Sequence, residues 1–166
     1  MIETAHIIEV LRPLEKELER FASGLLSVLA DEMQICQGTF FVTGKDKDGL
    51  YLRYLCGYAY HREDAGTLRF RFGEGLPGQV AEDGKAMEYR QVPPGYMNVI
   101  SGLGQSSPTS LVIHPLKHKQ QVVGVMELAS FQTMVPDHLG MLDELESYVG
   151  GVVFKHLAQE KKKARS

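Results

Sequence analysis

The spacing of apolar residues changes twice along this sequence, and that change narrows the fold more than any other feature. Near both ends they recur every third or fourth residue, and between the ends they recur every second. Ile7, Leu11, Leu14, Leu18, Phe21, Leu25 and Val28 fall on one helical stripe. Pro13 lies inside that stripe without a backbone N–H to donate, so the spacing predicts a start or kink there and a firm helix from Pro13 to Ala30. Leu142, Leu145, Val149 and Val152 make a second stripe, in a helix expected over Pro136 to Lys162. Pro136 and Asp137 suit its start and the lysines suit its end, each charge complementing the helix dipole. Gly150 and Gly151 each lower helix propensity by about 1 kcal/mol against alanine, which is tolerable where they admit a close neighbour.

The middle of the chain alternates. Thr39 to Thr43 and Leu50 to Tyr60 read as two strands joined through a Gly- and Asp-containing turn. The period of two predicts that Leu50, Leu52, Tyr54, Cys56, Tyr58 and Tyr60 share one face. Thr67 to Phe72 reads as a half-buried strand, Pro77 to Asp83 as a short helix closed by Gly84, and Ala86 to Arg90 as a further short strand. Gln91 to Thr109 is rich in proline, glycine and serine, so a functional lid or a partly helical loop is expected, with a turn or two at Tyr96 to Ile100. Ser110 to Leu116 and Gln121 to Ser130 form a hairpin about a polar tip. Hairpin links without regular strand–helix–strand alternation predict an α+β sandwich with one antiparallel sheet, not a doubly wound nucleotide fold.

A chain of 166 residues, 43% of them hydrophobic, can bury one core without a metal or disulfide staple. A net charge of −3 supplies no field for a phosphate backbone, so nucleic acid is not an expected partner. The basic run from Lys161 to Arg165 reads as a solvated tail. The two cysteines, Cys36 and Cys56, form no CxxC pair, and the six histidines show no metal-ligand spacing. No apolar run approaches the roughly 18 residues of a membrane span, and no signal peptide is evident, so direct membrane insertion is not expected and a reducing, cytoplasmic setting is.

Three separated segments are familiar in the right order. Phe72-Gly-Glu-Gly-Leu-Pro-Gly-Gln-Val-Ala81 resembles the GEGLxGxVA turn and helix of GAF domains. Leu111-Val-Ile-His-Pro-Leu116 is similar to that family's apolar strand ending in Pro-Leu, and Val122-Val-Gly-Val-Met-Glu-Leu-Ala-Ser-Phe131 to its last strand. Ser101-Gly-Leu-Gly104 with Ser107-Pro108 most resembles GAF domains attached to bacterial sensor histidine kinases. The resemblance spans Leu14 to Leu157 and implies a six-stranded antiparallel sheet with both terminal helices on one face and a ligand pocket under loops on the other. It divides the chain into a helical linker over 1–12, a GAF-like domain over 13–158 and a basic tail or linker over 159–166.

A family resemblance implies a class of functions and no particular ligand or cofactor. The family's Asn-Lys-Phe-Asp-Glu signature for cyclic nucleotides is missing after the last strand, where Ala129-Ser130-Phe131 stands. A covalent bilin would require a thiol in the pocket loop, where neither cysteine lies. Haem ligation would fall to His61 or His114. A methionine sulfoxide reductase, also a member of the family, would act through Cys36 and Cys56, whereas free cysteines are most often small buried apolar residues. No catalytic residue is therefore assigned. The pocket side is expected to collect Tyr58, Tyr60, Leu76, Val80, Tyr89, Tyr96, Ile100, Ser101, Ser107, Thr109 and Glu127, either around a small molecule or as a filled core. Glu127, inside an apolar strand, requires a partner such as Arg90 or a backbone amide unless the strand exposes it. The stripes Leu11, Leu14, Leu18, Phe21, Leu25 and Leu142, Leu145, Val149, Val152 are expected to pair two copies as a homodimer and pass a signal to an output domain. A sensory module is the expected function, with a reductase or a ligand-free dimerisation domain as alternatives.

Overall fold

The computed structural model describes residues 3–92, 96, 99–101 and 104–165, with backbone alone for 99–101 and 104–106. The chain opens with helix α1 (Thr4–Leu11), a 3-10 turn at Arg12–Leu14 and helix α2 (Leu18–Met33). Strands β1 (Gln37–Asp46) and β2 (Gly49–Tyr58) form a hairpin, followed by β3 (Arg69–Arg71), helix α3 (Gly75–Asp83) and β4 (Met87–Tyr89). A two-stranded ribbon of β5 (Val99–Ser101) and β6 (Gly104–Ser106) follows, then the hairpin β7 (Ser110–His118) and β8 (Gln121–Ser130), and finally helix α4 (Pro136–Arg165). Six strands make one antiparallel sheet in the order β3-β2-β1-β8-β7-β4. The expected α+β sandwich is thus the observed fold.

Each face of the sheet buries its own cluster. Phe40, Val42, Val112, Leu116, Met126 and Leu128 face the helices α1, α2 and α4. Phe41, Leu52, Leu111, Ile113, Val125 and Ala129 face the other way, against Val80 and Ala81 of α3. Alternation along β1 and β8 therefore sorts adjacent residues onto opposite layers.

Four features depart from the reading of the sequence. Pro13 does not open the long helix; Arg12–Leu14 coil into a 3-10 turn and α2 begins at Leu18, where Phe21 N–H first donates to Glu17 O at 2.9 Å. The upstream segment is no linker, because Ile7 and Leu11 of α1 are fully buried in the helix-side core. The C-terminal lysines lie on α4, which runs unbroken for 30 residues to Arg165 and is exposed over 159–165. Among the described residues, the stretch after Tyr89 carries the β5–β6 ribbon and no helix.

The two helical stripes have a different occupant from the one expected. Leu11, Leu18, Phe21, Leu25, Leu142, Leu145 and Val149 are at most 8% exposed within the single chain, and Leu14 and Val152 are half-buried against the same core. A three-four spacing marks a face that must be covered without saying what covers it, and the sheet of the same chain does so here. These side chains are not an intermolecular seam. Helix α4 lies so close to β7 that a Cβ added at Gly150 would stand 2.0 Å from Lys117 O, which explains the glycine there. Tyr148 Oη donates to Glu15 Oε1 at 2.6 Å and ties α4 to the first connection.

Candidate functional site

A cavity of about 440 Å3 opens between the sheet and the N-terminal end of α3. Its floor is polar. Gln37 and Thr39 alternate toward it from β1, and Glu127 reaches it from β8, directly opposite Thr39 in the ladder. Phe41, Leu68, Phe70, Leu76 and Pro77 form apolar walls, and Tyr60, His61, Arg62 and Tyr96 complete the lining.

The turn before α3 is positioned by its backbone. Gly73 N–H donates to Gly78 O at 2.8 Å, and a Cβ on Gly78 would fall 2.3 Å from Arg71 O. Only glycine lets the helix start this close to β3, and that approach brings Leu76 and Pro77 to the cavity wall. Leu68 and Phe70 point inward. Arg69 and Arg71 alternate to the other side, where their guanidinium groups lie 4.7 and 5.5 Å from the Tyr51 ring centroid.

The floor holds more acceptors than the protein satisfies. Gln37 Nε2 donates to Ala59 O at 3.1 Å, which fixes the amide and turns Oε1 away from that carbonyl. Gln37 Oε1 and Thr39 Oγ1 are both buried without a hydrogen-bond partner among the described residues. Buried polar atoms normally have partners, so two orphans at one cavity mark a place where a further group fits. Glu127 is 5% exposed and accepts a hydrogen bond from Tyr96 Oη at 2.7 Å. Burial pushes its carboxyl up to about 7, and the Tyr96 bond pulls in the opposite direction. Arg90 does not reach it; that guanidinium pairs with Glu88 at 3.7 Å.

This elevation has a thermodynamic sign. A carboxyl that holds its proton more tightly folded than unfolded stabilises the fold below its unfolded value, and that contribution is lost as pH rises through the folded one. From the ordinary 4.5 to about 7, the loss is on the order of 3 kcal/mol. Urea unfolding of the unliganded protein should therefore show stability falling over this window, and Glu127→Gln should flatten that slope and be the more stable protein above it. A slope unchanged by the substitution would assign the effect elsewhere.

The structure separates the residues expected at the pocket. Tyr60, Leu76, Tyr96 and Glu127 line the cavity. Val80 and Tyr89 belong to the surrounding cavity-side cluster. Ser107 and Thr109 are exposed and do not line it; Thr109 N–H donates to Ser130 O at 2.9 Å. The side chains of Ile100 and Ser101 lie outside the described residues. Tyr58 packs on the helix-side core instead. The cause is a bulge: Phe40 pairs with Cys56 but Phe41 pairs with Tyr54, so Leu55 is an extra residue in β2. Leu52 and Tyr54 keep to the cavity side, Cys56 and Tyr58 go to the helix side, and Ala59 at φ 50 re-aims the chain so that Tyr60 returns.

Gln37, Thr39, Phe41, Arg62, Leu68, Phe70 and Pro77 were not singled out from the sequence. The available signal was period two: Gln37 and Thr39 belong to the same alternation as Phe41, one strand from Glu127. Starting β1 at Thr39 instead of Gln37 removed half of it.

His114 sits on the opposite face from the cavity, 3% exposed, with Nε2 3.4 Å from Glu146 Oε1 on α4. Burial pushes its ring down to about 4. It is thus no haem ligand for the cavity, where His61 is the imidazole available. Among the described residues no group of three or more His, Cys, Asp or Glu could hold a metal ion, and no helix is long and apolar enough to cross a membrane. The thiols do not meet either. Cys36 is half-buried by the cavity-side cluster and donates to Ala129 O at 3.3 Å, whereas Cys56 is buried in the helix-side core, which pushes its thiol up to about 12.

The family model of the GAF domain matches residues 15–153. The chain belongs to the GAF domain family. No curated protein matches it. Among solved structures it is similar to the GAF domain of a phosphoenolpyruvate-protein phosphotransferase from Coxiella burnetii, with a TM-score of 0.73 at 16% identity over 96% of this chain and 99% of that one. The corresponding Acinetobacter GAF domain gives 0.71 at 16% identity, covering 94% of this chain and 98% of that chain. A type II free methionine-R-sulfoxide reductase from Thermoplasma acidophilum gives 0.66 at 13% identity, covering 86% and 96%. At these identities the likeness is one of fold. The cavity of this GAF domain thus lies between the sheet and α3, on the face away from α1, α2 and α4.

Proposed function

We propose that this GAF domain is a ligand-responsive regulatory module that works without catalysis, in the cytoplasm, as a sensory part of a bacterial signalling protein. The observation that carries the reading is the cavity of about 440 Å3 with two orphaned acceptors and a buried carboxyl on its floor. Its volume falls within the roughly 300–1,000 Å3 of small-molecule sites. Strand β8 presents Glu127 to that cavity and Met126 and Leu128 to the helices, so an occupant that shifts β8 acts directly on the packing of α2 and α4. Residues 159–165 of α4 are exposed, a surface from which such a shift reaches an output domain. Pairing of two copies, if it accompanies the response, uses surfaces other than the buried stripes.

The test is a thermal-shift and native mass spectrometry screen against a metabolite panel. At least one small molecule should raise the melting temperature, and Leu76→Trp, which fills the cavity from its wall, should abolish that shift while the unliganded protein stays folded. A panel without any binder would leave a purely structural dimerisation domain as the better account. Catalysis is tested separately. Cys36→Ser with Cys56→Ser should keep the ligand shift and lower stability by about 1–2 kcal/mol, chiefly through the hydroxyl buried at position 56. Methionine sulfoxide turnover by the parent, lost in the double variant, would establish the reductase instead.

A further inference from the structure

The polar floor restricts what the cavity accepts. Gln37 Oε1, Thr39 Oγ1 and the Glu127 carboxylate converge from two adjacent strands, all on residues no more than 5% exposed. Among the described residues the Tyr96 hydroxyl donates to Glu127 Oε2, while Gln37 Oε1 and Thr39 Oγ1 have no partner. An anionic group here would meet the carboxylate and an amide oxygen, and an acceptor-only group could take the Thr39 hydroxyl proton but would leave Gln37 Oε1 unmatched. A group with several N–H protons and no lone pair to satisfy matches all three at once. The cations on the lining do not reverse this. Arg62 is matched by Asp64, through Nε at 2.5 Å and Nη2 at 3.2 Å, and His61 is its neighbour on the same segment. The remaining lining is apolar or phenolic: Phe41, Leu68, Phe70, Leu76, Tyr60 and Tyr96.

Resting on the ligand-responsive reading of this site, we propose that the occupant is a small organic cation whose primary ammonium or amidinium head sits among Gln37, Thr39 and Glu127, with a slender apolar body against Phe41, Leu68 and Phe70. The head completes the two orphaned acceptors and pairs with Glu127, while Tyr96 keeps its bond to the second side of the same carboxyl. Burial pushes the Glu127 carboxyl, which faces Tyr96, Tyr60, His61 and Arg62, up to about 7, and an arriving cation favours its ionised form. Binding near neutral pH therefore releases a proton from Glu127.

Matched probes test this on the full chain by isothermal titration calorimetry: hexylamine, hexanol and hexanoate, and phenethylamine, phenethyl alcohol and phenylacetate. Each amine should bind at least about tenfold tighter than the alcohol and carboxylate of its skeleton, the scale of one charge-assisted hydrogen bond. Glu127→Gln should remove about that factor for the amines and leave the alcohols unchanged. The amine heats of the parent protein should also vary with the ionisation enthalpy of the buffer, in the direction of proton release, a readout that stands even if Glu127→Gln does not fold. Equal or tighter binding of the alcohol or carboxylate, full amine affinity in Glu127→Gln, or heats independent of buffer would overturn the assignment. If only a compound of other chemistry binds and Leu76→Trp abolishes it, the cationic ligand falls and the regulatory reading stands. If nothing binds, both fall.

Discussion

Gly150→Val is expected to lower the free energy of unfolding by more than about 3 kcal/mol, at the upper end of what overpacking costs. One residue on, Gly151→Ala should raise it by up to about 1 kcal/mol, the gain in helix propensity. A Cβ at position 150 would meet Lys117 O at 2.0 Å, its carbonyl carbon at 2.6 Å and its amide nitrogen at 3.1 Å. These are backbone atoms of a paired strand, which cannot rotate aside, so α4 must lift from β7. At position 151 the nearest atom is Nδ1 of the His118 side chain at 4.0 Å, ordinary contact distance. Two adjacent glycines thus predict effects of opposite sign. Urea unfolding measures both, and in a domain of this size each kcal/mol corresponds to roughly 2–4 °C in melting temperature. Stability raised by both substitutions would mean that helix propensity alone governs the two positions.

Phe21→Ala should cost about 3–5 kcal/mol, the range for deleting a fully buried ring. Phe21 is 0% exposed and meets the Tyr148 ring edge-on at 5.8 Å, so it joins α2 to α4 as well as to the sheet. Pairing Phe21→Ala with Tyr148→Leu in a double-mutant cycle isolates the ring contact, expected at about 0.5–1.5 kcal/mol. The same variant decides what the helical stripe does. If Phe21 belongs to the chain's own core, stability falls at every protein concentration and the mass in solution stays that of the parent. A variant that remained folded but lost a dimer would reinstate the stripe as an intermolecular seam.

What the sequence disclosed and what it withheld follow from the range of each interaction. Helix and strand periods are local, so α2, α4 and the β7–β8 hairpin were legible in the spacing of Leu25, Leu145 and Val125. The segment around Gly75 and Gly78 was legible because backbone contacts admit so few residues there. The burial partner of a stripe is not local. Leu142 and Leu145 have the same spacing whether a sheet or a second copy covers them, and only the structure decides. At the site, Glu127 stood out because a carboxylate among Val125, Met126 and Leu128 breaks the apolar pattern. Gln37 and Thr39 did not stand out, because uncharged polar residues at a strand's start read as its turn. Tyr96 as the partner of Glu127, 31 residues away, is a long-range contact, which no spacing encodes.

The extra residue in β2 also bears on how relatives of this chain should be compared. If Leu55 were deleted, the ladder would become regular, with Leu52 and Tyr54 still toward the cavity and Cys56 and Tyr58 still toward the helices. A deletion elsewhere in the strand would exchange the two faces for every residue downstream. Position 55 is therefore where chain length can vary without changing the cavity. Two homologues that differ in length here would, if matched residue for residue without a gap, seat a cavity-lining position of one against a core position of the other, although their sheets superimpose. The gap belongs at Leu55.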